Sequence, residues 1–184
     1  MIKSGHLIYS SWLFVILFLF FACREDVDTS QLANYEGPMR VSYNIELFHS
    51  DSAIVRTKLT ADKQLQFENE DMEFPEGILI HFFEPDGQLS TTIRADRGFY
   101  TRKTNEYRGE GDVRVHNLIK NQKLSSEELF WDPGKERIYT DKFVTVEERG
   151  RIINGTGMEA DQNFSNYKVF KIVDSRIPLP GEDL

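Results

Sequence analysis

The sequence has one cysteine in 184 residues, at position 23, which excludes an internal disulfide framework and a multi-cysteine zinc site. It also has no Gly-x-Ser-x-Gly elbow, no phosphate-cradling glycine loop and no His-Glu-x-x-His, the motifs that would point to hydrolytic, nucleotide or metalloprotease chemistry. The four histidines, His6, His49, His81 and His116, have no metal-ligand spacing. Basic excess is missing too. Asp and Glu outnumber Lys and Arg by 30 to 22, and the local basic clusters Arg94/Arg97 and Arg102/Lys103 alternate with acids. Nucleic acid binding needs a basic face that releases phosphate counterions, so these clusters read as a solvated sheet face. No enzyme activity, cofactor or metal is expected. From about Met39 onward there is no sustained 3.6-residue apolar period, which excludes a helical bundle. What is present, 40% apolar and 28% charged residues, is ordinary globular composition and argues against disorder.

The cysteine is informative by its position. Lys3 forms a short positive n-region, Leu7 to Phe21 is an apolar run interrupted by Ser10 and Ser11, and the run closes on Phe20-Phe21-Ala22-Cys23. That is signal-peptide length, short for a transmembrane span. Ala22 directly before Cys23 is similar to a lipobox, where cleavage leaves an acylated cysteine. Phe20 and Phe21 stand where smaller residues are usual, so an uncleaved helix from about Leu7 to Cys23 is the alternative anchor. Either one tethers the domain outside the cytoplasmic membrane, because each buried acyl CH₂ contributes about 0.8 kcal/mol. Residues 1–22 are therefore expected to be a lipoprotein signal peptide or anchor helix, 23–38 a polar tether and 39–184 one domain.

The body of the chain reads as strands. Val41-Ser42-Tyr43-Asn44-Ile45, Asp112-Val113-Arg114-Val115 and Phe143-Val144-Thr145-Val146 alternate with period two, the pattern of half-buried strands. Turn chemistry falls at Glu84-Pro85-Asp86-Gly87, Gly109-Glu110-Gly111, Asp132-Pro133-Gly134 and Asn154-Gly155. Antiparallel hairpins are expected, with Asn154-Gly155 as a hairpin turn and not a glycosylation sequon.

A repeat underlies these strands. Leu59-Thr60-Ala61-Asp62, Ile93-Arg94-Ala95-Asp96, Leu124-Ser125-Ser126-Glu127 and Met158-Glu159-Ala160-Asp161 share the form apolar, any, small, acidic, at spacings of 34, 31 and 34 residues. A shift of 31 also superimposes Phe99 on Phe130, Tyr100 on Trp131, Tyr107 on Ile138, Val113 on Val144 and Val115 on Val146. Each unit is expected to run to a corner at its small-acidic pair and return through a Val-x-Val strand. A lone unit cannot bury its apolar face, so stacked units share one core. Counting alternate positions from the corners puts Ile93, Ala95, Tyr100, Tyr107, Val113, Val115, Leu124, Leu129, Trp131, Ile138, Val144 and Val146 on the inward face. A closed β-sandwich and an open groove both fit this pattern.

The run Leu124 to Asp132, the run Ile138 to Val144 and the segment Gly155-Thr156-Gly157-Met158-Glu159-Ala160-Asp161-Gln162-Asn163-Phe164 resemble the LptC family of lipopolysaccharide export. The resemblance covers most of the chain from about Tyr35 to Leu179. It implies an all-β, repeat-built open β-jellyroll with an apolar groove, a periplasmic location and anchorage to the inner membrane. The inward residues above would then hold acyl chains. The implied partners are lipopolysaccharide, an inner-membrane ABC transporter whose jellyroll meets the first strands near Met39 to Phe48, and a periplasmic bridge protein pairing with Tyr167 to Ile172. Pro178 and Pro180 would end that pairing. The competing expectation is a structural envelope lipoprotein with a closed sandwich. An envelope hydrolase would instead require a buried nucleophile, base and orienting group within hydrogen-bond reach.

Overall fold

The computed structural model of the protein describes Tyr35 and residues 37–176. The targeting segment, Cys23, nearly all of the expected tether, Pro178 and Pro180 lie outside the described residues. Twelve strands follow in chain order: β1 (Arg40–Asp51), β2 (Ile54–Gln66), β3 (Met72–Phe74), β4 (Ile78–Phe83), β5 (Leu89–Ala95), β6 (Arg97–Thr101), β7 (Glu106–Asn117), β8 (Gln122–Asp132), β9 (Arg137–Glu148), β10 (Arg151–Asp161), β11 (Tyr167–Val169) and β12 (Ile172–Arg176). They form one antiparallel sheet, and no helix occurs among the described residues.

Three short pairs act as single interrupted strands. β2 pairs with β4 over Thr57 to Thr60 and with β3 at Leu65 and Gln66. β7 pairs with β6 over its first half and with β5 over its second. β10 does the same with β11 and β12. Reading β3/β4, β5/β6 and β11/β12 as units leaves a simple meander with two free edges, β1 on one side and β11/β12 on the other. The interruptions line up across the sheet. The ladder breaks between β5 and β6 at Asp96, between Glu110 and Val113 in β7, between Ser126 and Phe130 in β8, and between Thr156 and Met158 in β10.

Aligned breaks fold the sheet into two layers. Phe82 of β4 and Trp131 of β8 meet edge to face at 5.1 Å, although β5 and β7 lie between those strands in the sheet order. The Tyr167 hydroxyl reaches Glu148 at 2.9 Å. Their ladder partners on β10, Ala160 and Arg151, would be about 30 Å apart on a straight strand.

Three of the four small-acidic pairs stand at this line of corners. Ala61-Asp62 lies where β2 passes from β4 to β3, Ala95-Asp96 where β5 gives way to β6, and Ser126-Glu127 at the bulge of β8. The crowding explains the small residue: a Cβ on Gly109 would sit 2.9 Å from the Ala95 Cβ. The fourth pair departs from the expectation. Ala160-Asp161 ends β10, where the Asp161 carboxylate accepts the backbone N–H of Ser165 at 2.6 Å and of Asn166 at 3.1 Å.

Two expected turns are corrected. Glu84 to Gly87 and Asp132 to Gly134 do connect β4 to β5 and β8 to β9, but Gly109-Glu110-Gly111 lies inside β7 and Asn154-Gly155 inside β10. Gly111 has φ +75° at a bulge that bends β7. Gly155 serves close approach rather than reversal, since a Cβ there would lie 2.5 Å from both the Phe170 carbonyl oxygen and Val169 Cγ1.

Candidate functional site

The inner face of the folded sheet is the concave apolar surface of the molecule. Period-two alternation directs side chains to it, and the bulges switch parity, so that Leu124 and Ser126 point inward on even numbers and Leu129 and Trp131 on odd ones. The structure brings all the residues expected on the inward face into one cluster: Ile93, Ala95, Tyr100, Val113, Val115, Leu124, Leu129, Trp131, Ile138, Val144 and Val146 are buried, and Tyr107 is partly buried against them. Leu59, Ile80, Phe82, Phe74, Met158 and Phe164 belong to the same cluster. Leu59 and Met158 are absent from the expected inward face although they open the first and fourth repeat tetrads, whereas Phe74, Ile80 and Phe82 on the short strands β3 and β4, and Phe164 after β10, carry no repeat signature.

An aromatic ladder crosses this interior. Tyr100 and Tyr107 are 4.8 Å apart between ring centroids, Tyr107 stacks on Trp131 at 5.0 Å, and Trp131 meets Phe82. Their polar atoms are directed to the rim: Tyr100 Oη donates to Asn105 Oδ1 at 3.0 Å and Trp131 Nε1 to Gln162 Oε1 at 3.2 Å. Burial, and then charge repulsion from the Tyr100 phenolate, pushes the Tyr107 phenol up to about 12. In the middle of the molecule, therefore, the two layers are packed together by their own side chains.

Toward the edges the same face lies open. In the β1–β2 ladder Leu47 is opposite Leu59 and Ile45 opposite Ala61, so these two residues of β1 continue the inner face, and Leu47 is 40% exposed. Beyond the corner the parity switches: Val41 is opposite Leu65, which is opposite Glu73 and through it Phe99, so Val41 and Tyr43 lie on the outer face. At the far edge Ile172, opposite Gly155 on the inner side of β10, is 59% exposed. A separate cleft of about 500 Å³ opens at the corner toward the outer face, lined by Glu46, Thr60, Leu79 and Arg94 beside Asp62 and Asp96.

The outer face is a charge lattice. Arg94 bridges Asp96 at 2.8 Å and Asp112 at 3.0 Å, Arg97 pairs with Glu110 at 3.1 Å, and Arg102 with Glu70 at 2.8 Å. Arg94 and Arg97 are the solvated sheet face expected of them, whereas Arg102 lies in the turn between β6 and β7. Hydrogen bonds from Arg114 and Arg94 hold the Asp112 carboxyl below the usual carboxylate range. No group of three or more His, Cys, Asp or Glu able to hold a metal occurs among the described residues, and no helix there is long and apolar enough to cross a membrane.

Comparison with known protein families matches residues 12–176 to the family described as lipopolysaccharide-assembly, LptC-related. The chain belongs to the LptC family. No curated protein matches it. Membership implies a role in lipopolysaccharide transport in the cell envelope, and an LptC protein is a transport component rather than a member of a known enzyme family. The twelve-stranded antiparallel sheet with no helix among its described residues is consistent with an LptC jellyroll.

Proposed function

We propose that the protein is a membrane-tethered periplasmic conduit that receives lipopolysaccharide from an inner-membrane ABC transporter and passes it to a periplasmic bridge protein. Beyond family membership, one observation carries this reading: the apolar inner face does not end at the packed interior but runs out to exposed Leu47 on β1 and to exposed Ile172 on β12. Withdrawing an acyl chain into water costs about 0.8 kcal/mol per CH₂, and a continuous apolar wall offsets that cost. The free edges suit the partners. Each presents unpaired backbone N–H and C=O groups, a template for a strand of another jellyroll. In this reading β1 meets the transporter, β11 and β12 meet the bridge protein, and attachment at Cys23 or through an uncleaved N-terminal helix holds the domain at the membrane.

The packed interior supports a second reading, a closed structural sandwich in the envelope. Acyl chains enter between the layers only if these part. Parting them at the mouth opposite the corners breaks no strand ladder, because the two layers are joined by ladders only through the corners. A photo-crosslinking residue at Leu47 or Trp131 separates the two readings. With transporter, ATP and lipopolysaccharide present, both positions are expected to capture lipopolysaccharide, and Lys123 on the outer face is not. Absence of lipid adducts at Leu47 and Trp131, with crosslinks from the transporter to β1 intact, would leave the closed sandwich.

A further inference from the structure

The segment that follows β10 crosses from one layer to the other. Gln162 through Tyr167 leaves the end of β10 and makes a series of polar contacts to the strand ends of the opposite layer. The Asn163 carbonyl accepts the Thr91 hydroxyl at 2.7 Å and Asn117 Nδ2 at 2.7 Å. Asn163 Nδ2 donates to Glu84 Oε1 at 3.2 Å, Lys120 Nζ donates to the Ser165 carbonyl, and the Tyr167 hydroxyl donates to Glu148. The recipients lie at the ends of β4, β5, β7 and β9 away from the corners, so the segment runs across the mouth of the folded sheet. Between these contacts Phe164 is inserted with no exposed surface and stacks on Tyr167 at 5.2 Å.

We propose that Gln162 to Tyr167 is a strap that closes the mouth between the two layers, and that its release admits an acyl chain to the inner face; this rests on the conduit reading.

Three features suit the segment to open as a unit. Its base is fixed locally, because the Asp161 carboxylate holds the N–H groups of Ser165 and Asn166 and the Asp161 carbonyl accepts Phe164 N–H at 2.9 Å. Those bonds survive when the strap leaves the opposite layer. Phe164 has φ +50°, a conformation that costs a non-glycine residue energy and that persists where surrounding contacts enforce it. Finally, the inserted group is apolar. An acyl chain that takes the place of the Phe164 ring replaces one hydrocarbon surface by another, so the open state is stabilised by lipid and disfavoured in water.

Thr91→Val with Tyr167→Phe deletes one hydroxyl at each end of the strap with almost no change in shape. In the full-length protein carrying a fluorine-labelled phenylalanine at position 164, the solvent-exposed population of that ring, read by fluorine NMR, is expected to rise on the order of tenfold, with amide exchange in β8 and β9 unchanged. Capture of fluorescent lipopolysaccharide is expected to become severalfold faster. Should the double variant fail to fold, Glu84→Ala at the partly exposed rim removes a third contact and is read in the same two assays. A larger solvent-exposed Phe164 population with unchanged capture would overturn the strap and leave the conduit standing. No capture by parent or variant, with crosslinks to the transporter intact, would overturn the conduit and the strap with it.

Discussion

At the scale of single residues, side-chain size and proton affinity decide where the layers meet. Gly155 is the clearest case, because the returning chain lies where its Cβ would be. Gly155→Ala is expected to lower the unfolding free energy by about 1–3 kcal/mol, the usual cost of overpacking, measured by urea denaturation. Ionisation offers a second check. The Tyr107 phenol is pushed up to about 12 chiefly by burial, Tyr167 to about 12 by burial and then by its bond to Glu148, and Tyr139 to about 12 by its hydrogen bond to Glu106. A raised phenol pKa means that the folded state holds its proton more tightly than the unfolded chain, whose value is near 10. Stability from these groups is complete below about pH 10 and is lost as pH rises through about 12. Ultraviolet titration of phenolate and denaturation over the same range should show that coincidence. Of the site residues, those in the long repeats were legible from alternation. Asn163 was not, since an asparagine in a loop carries no signal for the strand ends it will reach.

At the scale of elements, turn and bulge chemistry sets register. The β1–β2 connection places Ser52 at φ +51° and Ala53 at φ +64°, the double left-handed geometry of a tight hairpin that favours Asn and Gly. Relieving the penalty on a β-carbon there, Ala53→Gly is expected to raise stability by about 1 kcal/mol, visible as a higher urea midpoint. Asn154-Gly155 has the composition of such a turn and yet lies inside β10. Its glycine answers to the crowding of Val169 and Phe170, which is a tertiary demand. The β7 glycines show the same ambiguity: Gly111 bends a continuing strand instead of reversing it. Composition marks where a backbone needs freedom, and only the neighbouring chain determines how that freedom is used.

At the scale of the whole molecule, the fold separates a buried middle from open apolar edges. Substitutions at the two should therefore behave differently. Val144, with no exposed surface, lies in the packed cluster, and Val144→Arg is expected to unfold the protein because it buries an unpaired charge. Leu47→Asp alters a side chain that is already 40% exposed. It is expected to change stability by no more than about 0.5 kcal/mol while abolishing lipopolysaccharide crosslinks along β1. Thermal melts beside crosslinking yields would show whether the two effects separate.

The repeat of apolar, small and acidic positions was enough to establish an all-β chain of stacked antiparallel strands and the side chains of its inward face. Those properties depend on period-two alternation and on steric limits at corners, both of which are local. Tertiary structure decided that the corners align into one fold line, that Ala160-Asp161 anchors a strap instead of a corner, and that the middle is packed while β1 and β12 are left open. These outcomes arise from contacts such as Phe82 with Trp131 and Asn163 with Thr91, between residues far apart in the chain, where no local pattern records the partner.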